Sequence, residues 1–308
     1  MHVHQFRAMN SDIVLMADGH PSSVLEGFEA AESFIHASEK RFTRFSKQSE
    51  LAQLNQSAGS WFQASPNLFE LVCESLNYFQ KTNGLFDPSI LPDLMRAGYD
   101  RTLDEVQRLN SDPQPASRSM RSSPTLDMVE LNAESLSIRL PTDLQIDLGG
   151  IAKGWIAEHA ARLMSQCATS CAASAGGDMF LIGYPEGQDY WEVGLEDPRN
   201  IEEDITILRV GEGAIATSSV SKRVWRQGTL SRHHLIDPRS HEPVISDWLS
   251  VTVIAPEMPA AETYAKAALI GGMDFARGLI QKNPKITMLA VDKNGQLIDI
   301  QEEAEHVH

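Results

Sequence analysis

The sequence predicts an α+β fold, and three observations carry that prediction. Apolar residues recur at helical spacing in several well-separated stretches, and short alternating or apolar runs bounded by turn residues lie between them. The two kinds of segment come in groups rather than in strict strand–helix–strand alternation, which disfavours a doubly wound parallel sheet. The chain has 308 residues, 42% hydrophobic and 22% charged, enough apolar side chain for a substantial core. Residues 1–308 are expected to form one domain, and the sequence carries no short-period repeat.

In order, a strand is expected at Asp12 to Met16. Ser22 and Ser23 then cap a helix whose buried stripe is Val24, Leu25, Phe28, Ala31, Phe34 and Ile35. Ser65-Pro66 opens a second helix, with Leu68, Leu71, Val72, Leu76 and Phe79 on one face, ending near Asn83-Gly84. The span Asp100 to Pro124 is dominated by Ser, Arg, Asp and Pro without periodicity, and reads as a surface loop. Leu126 to Leu131 and Leu136 to Leu140 alternate around Asn132-Ala-Glu as a hairpin. A helix from about Lys153 to Ser165 leads to short strands near Cys171 to Ala175, Tyr190 to Leu195 and Ile205 to Val210. A strand at Leu249 to Ile254, helices at Pro259 to Ile270 and Asp274 to Gln281, and a hairpin from Ile286 to Ile300 turning on Asn294-Gly295 complete the chain.

Forty-two acidic against 26 basic residues give a formal charge of −16, which works against general affinity for nucleic acid or anionic lipid. A polyphosphate would have to be held locally, by backbone dipoles, a few cations or a metal. Three cysteines, Cys73, Cys167 and Cys171, make no disulfide framework and fit a reducing compartment. The start of the chain lacks the pattern of a secretory leader, and no run approaches the ~18 apolar residues of a spanning helix. The expectation is a cytoplasmic protein without membrane insertion. His-Val-His triplets at residues 2 to 4 and 306 to 308 resemble chelators, but their terminal placement predicts frayed tails.

Ile146-Asp-Leu-Gly-Gly-Ile-Ala-Lys-Gly154 is the most informative local segment. An apolar run leads into paired glycines and then a lysine at a helix start, where outward N–H groups and the helix dipole suit a phosphate. The same residues also suit an ordinary strand-to-helix turn, and the spacing does not match a Walker A loop. Gly211-Glu-Gly213-Ala-Ile-Ala216 matches a dinucleotide fingerprint, but Thr217-Ser-Ser-Val-Ser follows in place of an amphipathic helix, so a turn between strands is the better reading. His233-His234-Leu-Ile-Asp237-Pro-Arg239 gathers a base, a carboxylate and a guanidinium, or is a surface turn capped by Asp-Pro. His241-Glu242 lacks the second histidine of a zincin. Ala175-Gly176-Gly177-Asp178 taken alone is a tight turn, and Cys167 and Cys171 read as buried small hydrophobes rather than metal ligands.

Taken together, these segments resemble the ApbE family of FAD:protein FMN transferases, from about Phe6 to about Ile300. The resemblance rests on Ala8-Met9-Asn10-Ser11, Phe42-Thr-Arg-Phe45, Ser49-Glu-Leu-Ala-Gln-Leu-Asn55, and Gly84-Leu-Phe-Asp-Pro88 followed by Pro92. Ile146 to Gly154, Ala175 to Asp178, Asp197-Pro198, Ala214-Ile-Ala-Thr-Ser218 and His234 to Arg239 then follow in family order. The resemblance implies an α+β fold of two T-fold-like halves in tandem. It implies cleavage of FAD with Mg2+, release of AMP, and transfer of FMN to a Ser or Thr of an acceptor flavoprotein, such as a membrane-bound electron-transfer subunit. Asp147 and Lys153 would contact FAD, Lys153 at a phosphate. Met9, Phe45, Leu85, Phe86 and Asp87 would border the flavin, and Thr217, Ser218, Leu235 and Ile236 the adenosine half. His234 is the candidate general base, with Asp147 the second candidate catalytic group, and Gly150 and Glu262 would be metal ligands. Alternatives are an FAD-binding relative without catalysis, and an FAD pyrophosphatase giving FMN and AMP.

The chain departs from the family pattern at four places. Ala261-Glu262-Thr-Tyr-Ala-Lys266 stands where the family has Ala-Asp-x-x-x-Thr, so a carboxylate longer by one methylene is followed, one helical turn on, by an ammonium at the third metal-ligand position. Asn10, Ser219 and His241 each replace a family glycine.

Overall fold

The computed structural model describes residues 1–108 and 125–301, and its architecture is α+β, as expected. The second His-Val-His triplet, and the part of the expected polar loop beyond Arg108, lie outside the described residues. The chain divides into two compact units, one of residues 1–38, 153–222 and 245–308, the other of 39–152 and 223–244.

The first unit is built on an eight-stranded sheet in the order His2–Ala8, Ser11–Asp18, Ser170–Ala175, Asp178–Ile182, Gly213–Ser219, Trp248–Ala255, Thr287–Asp292, Leu297–Asp299. Every neighbouring pair in it is antiparallel. The central strands are buried at most positions, as a sheet covered on both faces requires, and Ser170–Ala175 is buried throughout. The helices Ala152–Met164 and Met258–Lys282 belong to this unit. The second packs an alanine-rich face, including Ala261, Ala265 and Ala268, over the strands Gly213–Ser219 and Trp248–Ala255. The span Met258–Lys282 holds the two expected helices, divided at Gly272, whose φ of 74° no helix accommodates. A separate ribbon pairs Trp191–Asp197 with Asn200–Val210, and Gly211-Glu-Gly213 is the link between strands that the sequence favoured.

The second unit carries the helices Glu50–Gln56 and Pro66–Lys81, capped by Ser49 and Ser65, and a small sheet ordered Trp61–Gln63, Ser137–Arg139, Glu130–Asn132. The hairpin around Asn132 is present but shorter than expected, because Leu126–Met128 forms a 3-10 turn instead of strand.

Two expectations are corrected. The segment after Asp100 begins with a helix, Leu103–Arg108, preceded by Thr102, which gives both its N–H and its hydroxyl to Glu105 Oε2. Val106 drives it into a core cluster with Leu94, Ala97, Trp225 and Ile236. The first His-Val-His triplet is no frayed tail: His2–Ala8 pairs along its length with Ser11–Asp18, and His4 Nε2 lies 2.7 Å from Glu32 Oε2. No helix among the described residues is long and apolar enough to cross a membrane.

Candidate functional site

In the first unit, two hairpin turns sit beside each other at one end of the sheet. Met9 and Asn10, at φ of 54° and 52°, close the Ala8–Ser11 pair, and Gly176 and Gly177, at 65° and 95°, close the Ala175–Asp178 pair. Gly176 donates its N–H to Asp12 O at 2.9 Å, and at its φ of 65° a side chain would be strained and would crowd Ser11 Oγ at 3.0 Å, so the turn favours glycine. A methionine with positive φ is uncommon, and the hairpin geometry imposes it on a residue that the family resemblance places at the flavin. The neighbouring Asn10 tolerates the left-handed region that the family fills with glycine.

Lys153 projects from the first turn of Ala152–Met164 to this end of the sheet. Its ammonium donates to Asp178 Oδ2 at 2.5 Å and to the Ala175 carbonyl at 3.4 Å, and lies 3.7 Å from Glu262 Oε1. Asp178 is itself fixed, its Oδ1 accepting the N–H of Thr217 at 3.0 Å, while the Thr217 hydroxyl meets that of Thr252 at 2.8 Å. Glu262 is sealed, with only 2% of its side chain exposed, whereas Lys153 and Lys266 retain 12% and 16%. Its Oε2 accepts the N–H of Gly154 at 2.9 Å and its Oε1 the ammonium of Lys266 at 3.2 Å. A Cβ on Gly154 would lie 2.7 Å from Oε2, so the glycine exists to admit this carboxylate. Burial works to raise the Glu262 carboxyl, but Lys266, Lys153 and the Gly154 amide outweigh it and hold the group below its usual range. Burial pulls the Lys266 ammonium below its usual range, against the pull of Glu262.

These residues do not fit a divalent ion. Mg2+ needs about six oxygens at about 2.1 Å. Both Glu262 oxygens are taken by cationic or N–H donors, and the described residues contain no group of three His, Cys, Asp or Glu able to hold a metal. Gly150, the other expected ligand, lies in the second unit, in the turn closed by Ile151 N–H to Leu148 O at 3.0 Å.

In the second unit, Asn55 holds Ile146 by donating to its carbonyl and accepting from its N–H, each at 2.9 Å. Asp147 donates its N–H to Pro88 O at 2.8 Å, which brings the Ile146–Gly150 and Gly84–Pro88 segments together. The Asp147 carboxylate lies 3.7 Å from Arg44 Nε. That guanidinium donates to the Tyr99 carbonyl at 2.8 Å and lies 4.3 Å from the Phe45 ring centre and 4.6 Å from that of Tyr99. Phe45 is exposed, while Leu85 and Phe86 are buried. Asp87 caps the turn after it, its Oδ1 accepting from Ser89 N at 2.8 Å and Ser89 Oγ at 2.7 Å, and burial still pushes its carboxyl above the usual range.

The His233–Arg239 segment divides. His233 closes the strand Leu230–His233 with Nε2 3.1 Å from Val244 O, and burial lowers its basicity; His234 follows it, half-buried. Leu235 and Ile236 are core residues. Asp237 to Arg239 form the capped turn: burial raises the Asp237 carboxyl, and the Arg239 guanidinium at 2.8 Å more than reverses this. His241 occupies its family glycine's place at φ 59°, with Nδ1 2.8 Å from Asp93 Oδ2.

The structure thus gathers Lys153, Glu262, Lys266 and Thr217 in one unit, and Phe45, Asp87 and Asp147 in the other. The sequence placed Asp178 in a Gly-Gly turn and Arg44 in a Phe-Thr-Arg-Phe segment but gave neither a role; in the structure Asp178 positions Lys153 and Arg44 faces Asp147. The available signals were a carboxylate directly after a Gly-Gly turn and an arginine between two phenylalanines.

A sequence model of the ApbE family matches residues 9–290. The FAD:protein FMN transferase of Treponema pallidum is 27% identical over 264 residues, 79% of this chain and 70% of that protein. That of Escherichia coli K12 is 24% identical over 258 residues, 82% of this chain and 73% of its own. Among solved structures, the ApbE protein of Thermotoga maritima matches with a TM-score of 0.80 at 20% identity, over 100% of this chain and 99% of that one. The flavin transferase ApbE of Vibrio cholerae gives 0.81 at 19% identity, over 97% and 96%. At these identities the structural likeness establishes the fold.

Proposed function

Because the chain belongs to the ApbE family, we propose that it is an FAD:protein FMN transferase, moving FMN from FAD to a Ser or Thr hydroxyl of an acceptor flavoprotein. The observation that carries this reading is Lys153, held 2.5 Å from Asp178 beside two tight turns, in the segment that resembles the family's FAD-binding motif. An ammonium fixed by a carboxylate beside closely approaching backbone suits a phosphate oxygen, and its charge is set before the ligand arrives.

In the reaction the acceptor hydroxyl oxygen forms a bond to the phosphorus of the FMN half. The bond from that phosphorus to the bridging oxygen breaks, the bridging oxygen leaves with AMP, and the hydroxyl proton passes to a base, for which His234 and Asp147 are the candidates. Met9, Phe45, Leu85, Phe86 and Asp87 keep their assignment to the flavin. Thr217, Ser218, Leu235 and Ile236 keep theirs to the adenosine half; for Leu235 and Ile236, with side chains in the core, that contact would be through backbone.

The test incubates the purified protein with FAD and a flavin-acceptor domain, once in Mg2+ and once in EDTA, and follows AMP by chromatography and the acceptor by mass. The expected result is equal amounts of AMP and of acceptor heavier by FMN less one water. AMP with free FMN would show a pyrophosphatase. FAD bound without AMP in either buffer would show a carrier.

A further inference from the structure

We infer that the ammonium of Lys266 takes the place of a divalent cation in this chain, so that its handling of FAD depends on two fixed lysines and not on Mg2+. The inference rests on the transferase reading above and concerns the charges that face the pyrophosphate.

Three observations lead to it. The Glu262 carboxylate has no free oxygen, since Oε2 accepts from Gly154 N–H at 2.9 Å and Oε1 from Lys266 at 3.2 Å, with Lys153 a further 3.7 Å contact. An ion brought to Oε1 would meet one ammonium and approach a second, so it would be repelled where it must be attracted. Next, the Glu262–Lys266 pair is built into one helix, Met258–Lys282, at i and i+4, and Gly154 is kept bare so that the carboxylate can enter. That is the construction of a permanent charge pair. Finally, the burial is ordered: Glu262 is 2% exposed beneath two lysines that are 12% and 16% exposed, so the surface offered to an anion is ammonium. Asp178 orients Lys153 in the same way that Glu262 orients Lys266. Lysine is a compact point charge suited to phosphate, and here two of them are held by carboxylates behind them.

The test uses Mn2+ as a spin probe and FAD as the flavin ligand, on wild-type protein and on the double variant Glu262→Asp with Lys266→Thr. Wild-type protein should hold no Mn2+, with or without FAD, and its FAD affinity should agree within about twofold between EDTA and Mn2+. The double variant should acquire a Mn2+ site, and its FAD affinity in EDTA should fall by about tenfold or more, the scale of one charge-assisted phosphate contact. Lys266→Met, which keeps the length of the side chain, should lose FAD affinity by a similar factor in both buffers while its melting curve shows that it is folded.

Stoichiometric Mn2+ in the wild-type protein, loss of its FAD affinity in EDTA, or a folded Lys266→Met with unchanged affinity would each overturn the inference. Transfer of FMN only in Mg2+ would sink it while leaving the transferase reading intact. Metal-independent FAD binding without transfer would do the reverse. If FAD binds in neither buffer, the transferase reading falls, and Mn2+ binding by the FAD-free wild-type protein and double variant decides the inference.

Discussion

Lys153 and Arg44 are both cations beside a carboxylate, one in each unit, and they are held in opposite ways. Lys153 stands on a helix and touches Asp178 at 2.5 Å, within a cluster of two lysines and two carboxylates that neutralise one another. Arg44 lies just past a helix end and stays 3.7 Å from Asp147; rings at 4.3 and 4.6 Å and a carbonyl at 2.8 Å fix its guanidinium instead. At Lys153 charge is positioned by charge, which makes it rigid and mutually dependent. At Arg44 it is positioned by packing, which leaves the Asp147 carboxylate loosely paired and able to take another partner.

The largest effect should therefore come from Glu262→Gln. The amide keeps the shape and can still accept from Gly154, but it leaves Lys266 buried beside Lys153 without a counter-charge. Removing one partner of a buried ion pair costs about 3–5 kcal/mol, and the midpoint of urea unfolding should fall accordingly. A loss under about 1 kcal/mol would mean that the cluster is solvated and not interlocked. Arg44→Lys should do much less. It keeps the charge but loses planar stacking on Phe45 and Tyr99, worth about 1 kcal/mol. If the two substitutions cost the same, the contrast between charge-held and packing-held cations fails.

The same contrast explains what the sequence disclosed. Lys153 at a helix start and Glu262 with Lys266 one turn apart are local patterns, and local periodicity reveals them. Their convergence is not local: Lys153 reaches Asp178, 25 positions on, and Gly154 reaches Glu262, 108 positions on, through strand order that no spacing records. Asn55 belongs to a recognised motif, yet its purpose, both backbone groups of Ile146, lies 91 positions away. The glycine replacements at Asn10 and His241 become intelligible only from their φ of 52° and 59°. Among the elements, the helix Leu103–Arg108 has one buried apolar residue, Val106, too little for periodicity, and only Thr102 three residues before Glu105 signals its start. Chain ends fray by default, and the pairing of His2–Ala8 with Ser11–Asp18 overrides that default here.

The smallest expected effect sharpens the comparison through pH. Asp87, in the same unit as Arg44, has its carboxyl pushed upward by burial, and the two bonds from Ser89 only partly offset this. A raised carboxyl binds its proton more tightly in the folded than in the unfolded chain, so wild-type stability should decline as pH rises from the unfolded value, about 3.9, to the folded one. Below that window the protonated side chain costs nothing, and above it the full penalty is present. Asp87→Asn keeps the acceptor for Ser89 and removes the charge. It should match the wild type in acid and become the more stable of the two towards neutral pH. Glu262 has the opposite sign. Its carboxyl is held low by Lys266 and Lys153, so its contribution is present above the unfolded value and is lost as pH falls through the folded one. Paired unfolding curves of wild type and Asp87→Asn across that range test the assignment directly. A difference that stays constant with pH would show that Asp87 is charged at no cost, and that burial in this unit is not what sets its carboxyl.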